Sequence, residues 1–204
     1  MSYYDLVTVN QNRARYEELI PRWWNWVYEE DRDKHSDKGD VTFLRGDIVG
    51  GPPTESDENK QEIERKAGVN LFFPVYDVHI CTVDEHPDKK PCGDIDRCRE
   101  AADDDLAQLR DKNADISIND GKEQPITTNF KDHEIKARPF QLRVASENDL
   151  SREPKYHLGP GNYDGVAHGT YILMNNLKAG KYILKFGGKA GNYKTRSKYT
   201  INVT

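Results

Sequence analysis

The stretch that decides the fold is residues 170–204, TYILMNNLKAGKYILKFGGKAGNYKTRSKYTINVT. It contains three short apolar segments, TYILMNNL, KYILKFGG and SKYTINVT, which are joined by short connections. In the middle segment, Tyr182, Leu184 and Phe186 occupy alternate positions and so share one face of a strand. The turn at residues 178–180 ends in glycine and is short enough to join neighbouring strands. This region therefore predicts three consecutive strands.

Further strands are predicted upstream of this region. Three apolar segments predict strands over residues 41–49, 69–83 and 138–145. The segment ADISINDGKEQPI predicts a hairpin around Asn119, Asp120 and Gly121, because Asp-Gly supplies the positive φ angles of a tight turn. Residues 54–68 are polar and acidic, with little to bury, and predict a surface excursion with at most one short helix.

Two helices are predicted from apolar residues spaced three and four apart. The first covers about residues 11–30, with Pro21 inside it, and its tryptophans are interpreted as core anchors, with Trp26 off the main apolar stripe. The second covers about residues 95–112, where Asp94 is a suitable N-cap and Cys98 falls on the apolar face.

Strands and helices do not alternate along the chain, which argues against a doubly wound α/β fold. Several short strands joined by turns instead predict a mainly β protein. We expect one domain over residues 1–204, an antiparallel β-sandwich of immunoglobulin-like or jelly-roll-like type. The Trp-rich helix and the second helix are expected to pack on it.

The amino-acid composition of the chain argues against several classes of function. The 204 residues are 35% hydrophobic and 32% charged, with a net charge of −5 and a mean hydropathy of −0.92. Acidic and basic residues are interspersed, which argues against nucleic-acid binding, because phosphate tracking requires a basic stripe. No apolar run approaches the roughly 20 residues of a membrane span. The first residues lack a signal peptide, which predicts a cytoplasmic chain.

Three motifs occur in order along the chain: RWWNWV at 22–27, GVNLFFPV at 68–75, and HGTYILMNNLKAGKYILKFGG at 168–188. This set resembles a family of uncharacterised, mostly exported bacterial β-sandwich proteins. That family has a WWxW helix, an LFFPV strand followed by a cysteine, and a C-terminal GYxLxxLxxGxYxIxFGG segment. The resemblance implies a β-sandwich and secretion after removal of a leader, but no activity. His168 stands where the family pattern usually has aspartate.

The strand FFPVYDVHIC suggests two alternative roles for its polar residues. Asp77, His79 and Cys81 alternate along it and would share a face, and His86 in the next loop could complete a zinc or copper site. The resembling family, however, keeps one cysteine in this region and another on the next helix. The resemblance therefore implies a Cys81–Cys98 disulfide, and we favour this structural role over a metal site or a nucleophile.

Residues 146–169 are rich in Gly, Pro, Asn and Asp and predict a loop longer than most loops without a function. Its aromatic and titratable residues are candidate ligand-binding groups: Tyr156, His157, Tyr163, Asp164 and His168. No phosphate loop, dinucleotide fingerprint or serine nucleophile motif is present in the sequence. We therefore expect a non-enzymatic binding or structural module for a protein, peptide or glycan, with a metal-dependent protein or enzyme as the alternative.

Overall fold

The computed structural model describes residues 2–28, 40–45, 47–50, 59–81, 92–107, 109–119, 121–122, 124–126, 129–146, 158–190 and 193–204. The described chain is mainly β, with two α-helices and two sheets packed together as a sandwich, which confirms the predicted class. The strands are β1 (Asp5–Val7), β2 (Val41–Phe43), β3 (Asp47–Gly50), β4 (Asn59–Arg65), β5 (Asn70–Cys81), β6 (Leu109–Ile118), β7 (Gln124–Pro125), β8 (Glu134–Lys136), β9 (Phe140–Val144), β10 (Gly161–Asn175), β11 (Gly180–Ala190) and β12 (Tyr193–Val203). The helices are α1 (Arg13–Val27) and α2 (Ile95–Ala107).

Within the described residues, each sheet has six strands. The first sheet has the order β1-β10-β5-β2, with β8 and β9 also paired to β10, and the second has the order β3-β12-β11-β6-β7, with β4 also paired to β12. Two pairs, β2–β5 and β4–β12, are parallel, so both sheets are mixed rather than purely antiparallel. Parallel strands require a crossover connection, and the chain between β2 and β5 provides one by passing through β3 and β4 of the other sheet.

The sandwich core lies between the two sheets. Phe73 of β5 packs on Phe186 of β11 with ring centroids 4.5 Å apart, and Phe186 stacks on Tyr199 of β12 at 5.9 Å. The predicted alternation in β11 is confirmed, because Tyr182, Leu184 and Phe186 are all fully buried in this core. Burial of these large side chains drives the association of the sheets.

Helix α1 covers the opposite face of the first sheet. The Asn12 side chain accepts a hydrogen bond from the Arg15 N–H at 3.2 Å and caps the helix N-terminus. The helix passes through Pro21 and ends at Val27, within the predicted range. Trp26, although off the main apolar stripe, is buried against Phe43 of β2, which agrees with its interpretation as a core anchor.

Helix α2 packs on β5 and β10 of the first sheet through Cys98 and Ala102, which contact Val166. It ends at Ala107 rather than near residue 112, because the following residues pair with β11 as the start of β6. No helix in the described part of the chain is long and apolar enough to cross a membrane.

Three further predictions of local structure were wrong, each because sheet pairing outweighs local composition. Residues 41–49 form two strands, β2 and β3, which belong to different sheets. The polar region 54–68 contains β4, which pairs in parallel with β12. The region 146–169, predicted as a loop, contains the first half of β10 from Gly161 onward. The hairpin prediction is confirmed by the pairing of β6 with β7 and by Asn119 at φ 53°, although Asp120 lies outside the described residues.

The predicted Cys81–Cys98 disulfide was wrong, because Cys98 is bonded to Cys92, with the Cα atoms 5.2 Å apart. Between these two cysteines the chain turns at Gly93, which has a positive φ of 78°. The Asp94 carboxylate then accepts the Arg97 N–H at 3.0 Å at the start of α2. The turn at Gly93 places Cys92 beside the first turn of α2. Cys81, by contrast, lies in β5 with its backbone opposite Gly165 of β10.

We expect the double variant Cys92→Ser/Cys98→Ser to lower the free energy of unfolding by about 2 kcal/mol, the entropy of closing a loop of this size. The measurement is urea unfolding of the oxidised protein and of the variant. Cys81→Ser serves as the control and should unfold at the urea midpoint of the parent. Equal stability of the double variant and the oxidised parent would contradict the prediction.

Candidate functional site

A β-bulge between β5 and β10 decides on which face of the first sheet the Asp77 side chain lies. Thr170 of β10 pairs with Tyr76, but Tyr171 pairs with Pro74, so the β5–β10 register shifts by one residue at Val75. An extra residue reverses the alternation of side chains between the faces of a strand. Asp77 therefore shares the α1 face of the first sheet with Tyr171.

Three side chains form a hydrogen-bonded chain on this face. The Trp24 indole Nε1–H donates to the Tyr171 Oη at 3.2 Å, and the Tyr171 hydroxyl donates to Asp77 Oδ2 at 3.0 Å. Tyr171 is fully buried, whereas Trp24 and Asp77 are each partly accessible to solvent. Trp24 also stacks on Tyr28 with ring centroids 6.1 Å apart. The three residues are called the Asp77 relay below.

Gly169 makes room for the Asp77 relay. It lies directly opposite Asp77 in the β5–β10 pair. A Cβ atom at this position would approach both the Asp77 Cβ and the Tyr76 carbonyl oxygen to 2.7 Å, closer than real Cβ contacts. The absence of a side chain thus allows the two strands to pass closely beneath the carboxyl group.

The pKa values of the two acidic groups in the Asp77 relay, the Asp77 carboxyl and the Tyr171 hydroxyl, are both raised. Burial raises the pKa of Asp77 from 3.8 to about 7, although the hydrogen bond from Tyr171 opposes the shift. Burial and the nearby Asp77 charge raise the pKa of Tyr171 well above its ordinary value. Near neutral pH the carboxyl group therefore gains and loses a proton while the phenol stays protonated. A carboxyl group with such a shift is a candidate functional group.

A second polar cluster joins α2 to the other face of the first sheet. His168 Nδ1 lies 2.7 Å from Asp103 Oδ1, and the Lys136 ammonium donates to Asp103 Oδ2 at 2.6 Å. Burial lowers the pKa of His168, and the hydrogen bond to Asp103 opposes this. Burial alone would raise the pKa of Asp103, but the bonds from Lys136 and His168 lower it overall. With its side chain 3% exposed, His168 has a structural role in holding α2.

The structure does not bring the predicted ligand-binding residues together. Tyr163 packs against the α1 side of the first sheet and donates to the Gly159 carbonyl at 2.7 Å. His168 points to the opposite face, toward α2, because the strand alternates. Asp164 is exposed and accepts a hydrogen bond from Gln141. The other two predicted residues, Tyr156 and His157, lie outside the described residues.

The predicted metal ligands are only partly described. Asp77 belongs to the relay, and the backbones of His79 and Cys81 continue β5. The side chains of these two residues, and the whole of His86, lie outside the described structure. Among the side chains that are described, no three His, Cys, Asp or Glu residues form a group able to hold a metal ion. The zinc or copper site therefore stays a prediction.

Sequence reasoning found Asp77 but missed its partners, Trp24 and Tyr171. Trp24 was interpreted as a core anchor, and Tyr171 belongs to a strand whose face relative to β5 depends on the bulge. The absence of a side chain at Gly169 is consistent with the close strand approach at this point, but its position opposite Asp77 is seen only in the structure.

The fold and the Asp77 relay define a β-sandwich protein with a titratable carboxyl group beneath a Trp-rich helix. Comparison of the chain with protein-family models, with curated proteins and with solved structures found no match.

Proposed function

We propose that this protein is a non-enzymatic binding module that recognises its ligand at the Asp77 relay. The observation that carries the proposal is the hydrogen-bonded chain from the Trp24 indole through Tyr171 to the buried Asp77 carboxyl group, in which the residues Trp24 and Asp77 are each partly accessible to solvent. Such a combination of one oriented polar group and an aromatic surface is typical of small-molecule and glycan sites.

The relay suits a ligand group that donates a hydrogen bond. Tyr171 binds Asp77 through Oδ2, and no donor to Oδ1 is found among the described residues. A ligand hydroxyl or ammonium group can donate to that oxygen. Tyr171 is itself fixed from the other side by the Trp24 indole, so the carboxyl group is held in one orientation before the ligand binds. The ligand class is therefore a hydroxyl- or amine-bearing glycan or peptide.

The experiment follows the indole N–H signals by nitrogen–proton NMR while methyl β-glucoside, N-acetylglucosamine or methylammonium is added. We expect one of these probes to shift the Trp24 signal. The Trp23 signal should not move, because its indole donates to the Leu44 carbonyl at 2.8 Å in the buried core. The shift should disappear in Asp77→Ala and persist in the surface variant Asp164→Ala. A Trp24 signal that no probe moves, or a shift that survives in Asp77→Ala, would contradict the proposal.

A metal-dependent protein is the second candidate, and the position of Asp77 on the same strand as His79 and Cys81 favours it. It predicts a native mass that exceeds the denatured mass by one zinc or copper ion, and loss of that ion in His79→Ala. Equal native and denatured masses after purification without chelator would contradict it.

A further inference from the structure

The Asp77 carboxyl group has no positive charge beside it in the described part of the chain. Its hydrogen-bond donor there is the neutral Tyr171 hydroxyl, and no described lysine, arginine or histidine forms an ion pair with it. Asp103, which lies on α2 against the other face of the same sheet, is by contrast bonded to both Lys136 and His168. A carboxylate removed from water is stabilised by a nearby cation. A cationic ligand would supply at Asp77 the charge that the described residues do not.

The hydrogen bond from Tyr171 limits how a cation can bind. The Tyr171 hydroxyl donates to Asp77 Oδ2 at 3.0 Å, and the Trp24 indole fixes that hydroxyl from behind at 3.2 Å. A guanidinium group binds a carboxylate best through two parallel hydrogen bonds, one to each oxygen. An ammonium group is a compact point charge that can donate to Oδ1 alone. The relay therefore favours an ammonium group over a guanidinium group.

Aromatic rings pack against the residues of the relay. Tyr171 stacks on Phe72 with ring centroids 5.5 Å apart, and Trp24 stacks on Tyr28 at 6.1 Å. Methylene groups of a ligand can pack on the accessible part of Trp24, and an indole ring attracts a nearby cation. An amino sugar would instead bring several hydroxyl groups, each of which loses its hydrogen bonds to water unless it finds a new partner. These rings therefore favour an alkylamine over an amino sugar.

We propose that the Asp77 relay binds a primary alkylammonium group, of the kind that ends a lysine side chain, through a charge-assisted hydrogen bond to Asp77 Oδ1. The methylene groups next to the nitrogen pack on the Trp24 indole. This inference rests on the function proposed above, and it narrows the ligand from hydroxyl- or amine-bearing molecules to cationic alkylamines.

The experiment follows the Trp24 indole N–H signal of the full chain by NMR while n-butylammonium chloride is added at pH 8, above the Asp77 pKa of about 7. The matched control ligand is n-butanol, which has the same carbon chain and a neutral donor. n-Butylguanidinium tests the choice of cation, and glucosamine, compared at equal concentrations of its protonated form, tests the choice of alkylamine. We expect n-butylammonium to bind at least tenfold more tightly than each of the other three ligands. Sodium chloride keeps the ionic strength constant throughout.

Two variants assign the binding to the Asp77 charge. Asp77→Asn removes the charge but keeps an oxygen for the Tyr171 hydroxyl, and it should weaken n-butylammonium binding at least tenfold. Asp164→Asn makes the same change at an exposed position and should alter binding less than twofold. An unchanged Trp23 indole signal shows that each variant is folded, because that indole donates to the Leu44 carbonyl in the core.

The inference would be overturned if n-butanol, n-butylguanidinium or glucosamine bound as tightly as n-butylammonium, or if Asp77→Asn kept the affinity of the parent. A Trp24 signal that moves with methyl β-glucoside but not with n-butylammonium would also overturn it, yet would leave the proposed binding site standing. A signal that none of the ligands moves would contradict both proposals.

Discussion

Asp77→Asn is expected to stabilise the protein by about 2–4 kcal/mol at pH 8, although it removes the charged group of the candidate site. Burial raises the pKa of Asp77 from 3.8 to about 7. The folded protein at pH 8 therefore keeps an ionised carboxyl group where ionisation is unfavourable. Asparagine is neutral at every pH and retains an oxygen that accepts the hydrogen bond from the Tyr171 hydroxyl.

The pH dependence of this effect follows from proton linkage. Between pH 3.8 and about 7 the folded protein binds more protons at Asp77 than the unfolded chain does. The contribution of Asp77 to the free energy of unfolding of the parent therefore falls as the pH rises through this range and levels off above it. The difference between Asp77→Asn and the parent should be near zero at pH 4 and largest at pH 8.

Urea unfolding at pH 4, 6 and 8 provides the measurement. The exposed variant Asp164→Asn makes the same chemical change on the surface and should alter stability by at most about 0.5 kcal/mol at any of these pH values. A variant Asp77→Asn that is less stable than the parent at pH 8 would show that the carboxylate is stabilising there. That result would refute the assigned pKa direction.

Phe186→Ala is expected to lower the free energy of unfolding by about 3–5 kcal/mol, the usual cost of deleting a buried phenylalanine. The Phe186 ring is fully buried between the sheets. Its centroid lies 4.5 Å from that of Phe73 and 5.9 Å from that of Tyr199. Its removal forfeits hydrophobic burial and two aromatic contacts at once. A typical domain has a total stability of only about 5–15 kcal/mol, so we expect the variant to be largely unfolded at moderate urea concentrations.

The matched control for this prediction is Ile183→Ala on the same strand. Ile183 is half-buried on the outer face of β11, and its truncation should cost clearly less than that of Phe186 because less apolar surface is lost. Equal losses in the two variants would mean that the β11 alternation does not separate core from surface.

The fold could be predicted to a large extent because burial imposes a readable period on the chain. Tyr182, Leu184 and Phe186 alternate as a strand requires, and α1 shows helical spacing. Prediction failed where pairing with a distant strand provides the stabilisation. β4 is polar in sequence, yet it pairs along its whole length with β12.

The candidate site was less predictable than the fold. The sequence indicated that Asp77 lies on a strand, but its partner Tyr171 is 94 residues away. The two meet only because the bulge at Val75 shifts the face of every following residue on β5. A one-residue irregularity of this kind leaves little trace in local composition.

The sequence by itself determined the fold class, the two helices and the alternating core of β11, because these depend on local periodicity and on the removal of apolar side chains from water. Only the tertiary structure decided the pairing of Cys92 with Cys98 and the Asp77 relay. For the relay, the deciding factor is the register between strands that are far apart in the chain. For the disulfide, it is the turn that leads into α2. Neither the register nor that turn is encoded in the hydrophobic pattern of a single segment.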